Sequence, residues 1–114
     1  MKRIAIVACE NSNTVCAGCA CLNAFYDRRK SFERYAGEEL RLMAFMRCSH
    51  CVKDGDPMQD AGFVEKLERF VSERVEIVHI GLCGGRTEET ACPGMAKMAA
   101  AFREKGLTVV WGTH

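Results

Sequence analysis

No charge of either sign dominates this sequence. Sixteen basic residues stand against fifteen acidic ones, a formal charge of +1, and no concentrated positive surface of the kind a nucleic-acid backbone demands is implied. No apolar run approaches the roughly 18 residues of a membrane span. The run Ile4 to Ala8 follows Lys2 and Arg3 and imitates an export signal. It falls short of the roughly 7–15 apolar residues such a segment needs, and Glu10, Asn11, Ser12 and Asn13 end it. The expectation is a cytoplasmic chain that begins with a buried strand. A Walker loop, a dinucleotide fingerprint and a nucleophile elbow are all missing. So are the phosphatase spacing of a cysteine with an arginine six positions later and any carboxylate pair set for acid–base work. Without a linker, repeat or low-complexity stretch, residues 1–114 read as a single domain.

What the chain does have is thiols. Its 48% hydrophobic and 27% charged residues are ordinary for a globular domain. A domain of this size needs no disulfides to hold a core, yet there are eight cysteines. In a reducing cytosol they are expected to act as ligands or catalysts rather than bridges.

Apolar patterning sets out the scaffold. Arg3 to Ala8, Leu40 to Met46, Val75 to Ile80 and Leu107 to Trp111 read as strands. Between them, Cys21 to Ala36 reads as a helix whose stripe Arg29 interrupts, so a kink or two short helices is expected. Asp56 to Gln59 should cap a second helix, with Pro57 at its first position and Phe63, Leu67, Phe70 and Val71 on its inner face. Cys92-Pro93 opens a third, with Met95, Met98, Ala99 and Phe102 inward and Gly106 as its stop. Met43, Met46, Met95 and Met98 read as core filler rather than soft ligands. The βαβαβαβ order predicts an α/β three-layer sandwich. Its small, mainly parallel four-stranded sheet is flavodoxin-like or Rossmann-like by topology.

On that outline the cysteines fall at one edge. Cys9 ends the first strand, Cys48 and Cys51 follow the second, Cys83 follows the third and Cys92 opens the last helix. Cys16, Cys19 and Cys21 lie in the first strand-to-helix connection or the first helical turn. In a parallel sheet all these connections emerge at the carboxyl edge, where open α/β folds bind their ligands. Buried cysteines acting as small hydrophobes would explain one or two of them, but not the set. Cys16-Ala17-Gly18-Cys19 and Cys48-Ser49-His50-Cys51 both have the spacing that lets two sulfurs share an ion. His79, inside a strand and about 13 Å along it from Cys83, reads as a hydrogen-bonded core histidine.

These residues together resemble the CGGC-domain proteins. The resemblance is carried by Ile4 to Cys9, the loop Cys16 to Cys21, Phe32 to Tyr35 and the pair Cys48/Cys51. It continues through His79 to Cys83, Cys92-Pro93 and the terminal Gly112-Thr113-His114. It implies a metal-binding domain, with zinc the metal most often suggested, and carries over to Cys9, Cys16, Cys21, Cys48, Cys51, Cys83, Cys92 and His114. Two departures stand out. Ser49 and His50 replace the two glycines of the tetrad that names the family, and Cys19 stands where the family has another residue. His50 could add an imidazole ligand.

Two functions are expected from the sequence. The first is a metal-binding protein that holds zinc, or alternatively an iron–sulfur cluster, with thiolates at the carboxyl edge. The second is a dithiol/disulfide oxidoreductase using Cys48 and Cys51. The loop-forming sequence Val52 to Pro57 disfavours it, because thioredoxin-type pairs draw their reactivity from a helix starting at the motif.

Overall fold

A computed structural model of the chain describes residues 1–48 and 55–113. Four strands form one parallel sheet: β1 (Lys2–Ala8), β2 (Leu40–Arg47), β3 (Ile77–Ile80) and β4 (Thr108–Val110), in the order β2-β1-β3-β4. Three α-helices connect them: α1 (Cys19–Asp27), α2 (Ala61–Ser72) and α3 (Pro93–Glu104). This is the small α/β sandwich the alternating pattern predicts. Among the described residues, no helix is long and apolar enough to cross a membrane.

Strand β1 holds the structure together because it is paired on both sides, with β2 and with β3. A central parallel strand is covered on both faces, so it reads as a continuous apolar run. Ile4, Ala5, Ile6 and Val7 are accordingly fully buried. Their alternation divides them between two cores. Ala5 and Val7 join Phe63, Leu67, Met95, Met98 and Phe102 from α2 and α3, whereas Ile4 and Ile6 join Cys21, Ala24 and Phe25 from α1. The chain steps one way from β1 to β2 and the opposite way through β3 to β4. Right-handed crossovers then require α1 on one face and α2 and α3 on the other.

Three details depart from the pattern. The helix expected over 21–36 is split: α1 stops at Asp27, Arg28 turns left-handed at φ 54°, and a 3-10 helix covers Lys30–Tyr35. Phe32 and Tyr35 are buried by this second piece, while Ala36 is exposed. The second helix starts later than Pro57. Asp56 caps only a 3-10 turn, Pro57–Gln59, and Asp60 then caps α2 by accepting the Gly62 N–H at 3.1 Å. Val71 is 45% exposed rather than inward-facing, because the α2 stripe narrows to Phe63, Leu67 and Phe70. Of the four methionines read as filler, Met46, Met95 and Met98 are buried and Met43 packs against the same core.

His79 is a core histidine with every polar atom engaged. Its Nε2 lies 2.8 Å from the Tyr35 hydroxyl, and its Nδ1 lies 3.2 Å from Ser31 Oγ and 3.4 Å from Thr113 Oγ1. The ring stacks on Phe32 at 4.2 Å. Burial, reinforced by the Arg34 charge, pushes its pKa down to about 3. An unfolded histidine titrates near 6.5, so the contribution of neutral His79 is fully present above that pH. It is lost as pH falls from 6.5 toward 3, by on the order of 5 kcal/mol in total. Denaturant unfolding measured across this window should show stability dropping with acid, and His79→Gln should flatten that slope.

Candidate metal centre at the carboxyl edge

The chain reverses its direction of travel between β1 and β3, and open α/β sheets bind ligands in the crevice at such a reversal. Cys9 leaves the end of β1, and Cys83 follows β3 by way of Gly81 and Leu82. The two meet there: the Cys9 backbone N–H donates to Cys83 Sγ at 3.1 Å. Gly81 N–H donates to Val7 O at 2.8 Å, so the β1–β3 pairing reaches the rim of the crevice.

Cys48 follows β2 directly and is half-buried, with its thiol 3.9 Å from Ala8 O. Burial pushes this thiol up, and the neighbouring Cys9 and Cys92 add to the effect, while backbone hydrogen bonds oppose it. Cys92 stands at the N-cap of α3, although its side chain caps nothing. Its N–H instead donates to Gly84 O at 3.3 Å, tying the start of α3 to the turn after Cys83. Cys9, Cys48 and Cys92 line a single cavity of about 400 Å³, with the thioethers of Met95 and Met98 in its wall.

Cys16 and Cys21 lie on the other side of the edge. The Cys16 sulfur accepts the Gly18 N–H at 3.3 Å, just before Gly18 turns left-handed into α1 at φ 84°. Cys21, in the first turn of α1, is 2% exposed. Burial pushes it up to about 11, with smaller contributions in the same direction from Cys83 and Cys16 and an opposing one from Arg47. Cys19 begins α1 on the exposed surface. Among the described residues, none of the seven cysteines is in a disulfide. Cys51, His50 and His114 lie outside the described residues. Among the described residues, no three cysteine, histidine or acidic side chains are gathered tightly enough to hold a metal ion.

Two features at this edge were missed in the sequence. Arg47, the last residue of β2, reaches across to the β1–α1 connection. Its guanidinium donates to Ser12 Oγ at 2.8 Å, Cys16 O at 3.1 Å and Cys9 O at 3.5 Å. A lone basic residue closing an apolar strand beside a cysteine was the available signal. The second is the pair Gly84-Gly85. A Cβ on Gly84 would come within 2.8 Å of Ile80 Cγ2, and one on Gly85 within 2.6 Å of Ala91 Cβ. Two glycines directly after a strand-end cysteine are the mark of this close approach.

A parallel α/β sandwich with cysteines converging on its carboxyl edge is the class that fold and edge define. The family model of the CGGC domain matches residues 3–114, essentially the whole chain, and the chain belongs to that family. Searches of curated proteins and of solved structures found no match.

Arg47 ties two strand ends to the thiol-bearing connection, and hydrogen bonds from a charged donor are worth about 1.5–3 kcal/mol each. Arg47→Met should lower unfolding stability by about 2 kcal/mol and speed alkylation of Cys16, read by mass spectrometry. Unchanged alkylation would mean that the connection is held by something else.

Proposed function

We propose that this chain is a metal-binding protein that uses cysteine thiolates at the carboxyl edge of its sheet to hold zinc or an iron–sulfur cluster. The observation that carries the reading is the convergence of Cys9, Cys48, Cys83 and Cys92 from four separate segments, three of them on the wall of one cavity. The donor chemistry fits. Thiolates and thioethers are soft ligands that select zinc, copper(I) and iron–sulfur clusters over hard cations. Cys9, Cys16, Cys21, Cys48, Cys51, Cys83, Cys92 and His114 are the ligand set we assign. When bound, zinc would supply a structural cross-link between the loops, and a cluster would supply electron transfer.

The chain's own part is to store protons on these sulfurs and release them. Burial holds Cys21 and Cys48 in the thiol form, and a thiol must deprotonate before it can ligate. Binding therefore releases protons and strengthens as pH rises. The same burial argues against the alternative of a Cys48–Cys51 dithiol oxidoreductase, because an attacking sulfur needs a lowered pKa. The reading also needs a compartment that keeps thiols reduced, for which the cytoplasm is our assignment.

Serine keeps the size of cysteine while replacing a strong thiolate ligand with a weak hydroxyl. Metal stoichiometry, measured by elemental analysis of anaerobically purified protein, should fall in Cys48→Ser and Cys83→Ser. It should stay near wild type in Cys19→Ser, whose cysteine is exposed and lacks a family counterpart. Equal retention in all three variants would remove these thiols from the site.

A further inference from the structure

The sheet ends differently on its two sides. On one side β4 is only three residues long, and short edge strands offer little to pair with. On the other side β2 runs for eight residues, and among the described residues its sole ladder partner is β1. Its outer row of backbone N–H and C=O groups is a template for another strand. The strand is also apolar without being covered. Leu40, Leu42, Met43, Ala44 and Phe45 are half-buried, whereas Ile4 to Val7 of the central strand are fully buried. Few devices guard this edge. Proline and lysine are missing from β2, and the guanidinium of Arg47 is engaged by the β1–α1 connection. What blunts the edge is exposed Arg41, a one-residue step in register at Met43, and Lys66 on the Arg47 carbonyl.

Beside the strand runs a groove of about 420 Å³, with Ala44 and Met46 on the β2 side and Gly62, Glu65, Lys66 and Arg69 on the α2 side. The four helix residues recur at helical spacing, so they form one stripe along the strand. Glu65 and Arg69 are exposed and one turn apart. A helix that meets an antiparallel copy of itself sets Glu65 against the partner's Arg69, and Arg69 against the partner's Glu65, so the stripe is complementary to itself. Arg69 also reaches Glu73 of its own chain at 3.6 Å, an exposed bridge that costs little to exchange. We propose that β2 pairs antiparallel with β2 of a second copy across a two-fold axis, joining two four-stranded sheets into one, with the α2 charges fixing the register. This surface is independent of the metal-binding reading. Antiparallel pairing sends the two carboxyl edges to opposite ends of the dimer, so neither copy lends a thiol to the other.

The test measures the mass of the full chain by sedimentation equilibrium. Reductant and chelator are present, so that neither a disulfide nor a metal can link the copies. Wild type should sediment as a dimer of the 12.7 kDa chain, and hydrogen exchange in peptides covering residues 40–47 should slow as the dimer forms. Glu65→Arg and Arg69→Glu each turn both attractive pairs repulsive and should weaken the dimer about fivefold. The double variant Glu65→Arg/Arg69→Glu restores opposite charges and should recover the wild-type affinity, with circular dichroism unchanged throughout. A wild type that stays monomeric up to millimolar concentration overturns the interface and leaves the metal-binding reading standing. So does a dimer whose residues 40–47 gain no protection, a dimer unaffected by either single variant, or a double variant as weak as the singles.

Discussion

The two-sided pairing of β1 is the constraint from which the rest follows. A strand with parallel neighbours on both sides must be apolar on both faces, and its carboxyl end must open into the crevice where the winding reverses. The fully buried run Ile4 to Val7 meets the first requirement, and Cys9 occupies the position that the second creates. Once β1 is fixed, the ends of β2 and β3 lie to either side of it. Cys48 and the turn bearing Cys83 are then delivered to the same rim without any need for sequence proximity. The thiols are neighbours because strand polarity makes them so, and they come from segments up to 74 residues apart.

Strand polarity does not by itself make a stiff rim. Stiffness comes from bonds between the connections. Gly112 N–H donates to Gly85 O at 3.2 Å, Thr113 N–H to Ile80 O at 3.0 Å, and Ser31 N–H to Thr113 O at 3.3 Å. His79 sits beneath this lattice and receives Ser31, Tyr35 and Thr113 around one ring. Such a buried network holds only when its members are satisfied, and here each ring nitrogen has a partner. Gly112 and Thr113 are thereby fixed to the same edge as the thiols. On the opposite flank Lys66 Nζ holds the Arg47 carbonyl at 2.9 Å while the guanidinium of Arg47 spans the β1–α1 connection.

The strands, α3 and the edge position of the cysteines were legible in the sequence because each depends on local pattern. Runs of β-branched residues, a Cys-Pro helix start and Gly106 at φ 88° after α3 need no knowledge of distant residues. The break at Arg28 was half legible: the apolar stripe failed at Arg29, but nothing local required the left-handed turn at the preceding residue. The start of α2 was misread because two aspartates four apart both make competent caps. The chain uses Asp56 for a 3-10 turn and Asp60 for the helix. The role of Arg47 and the partners of His79 were not legible at all. They come from positions 31 to 48 residues away, and only the packed fold decides which of them meet.

Burial and ligation place opposite demands on the same sulfurs. A thiol in an apolar setting keeps its proton, and burial raises Cys21, 2% exposed in the α1 core, to about 11. To bind an ion it must lose its proton and leave that setting, so part of the binding energy is spent on desolvated charge. Arg47 reduces this cost on the α1 side by holding a fixed positive charge near Cys21, and among the described residues no carboxylate pairs with it. On the cavity side Cys9, Cys48 and Cys92 are only half-buried, yet burial still raises Cys48. Under the metal-binding reading proposed above, uptake would require thiols that stand apart among the described residues to lose their protons and gather around the ion.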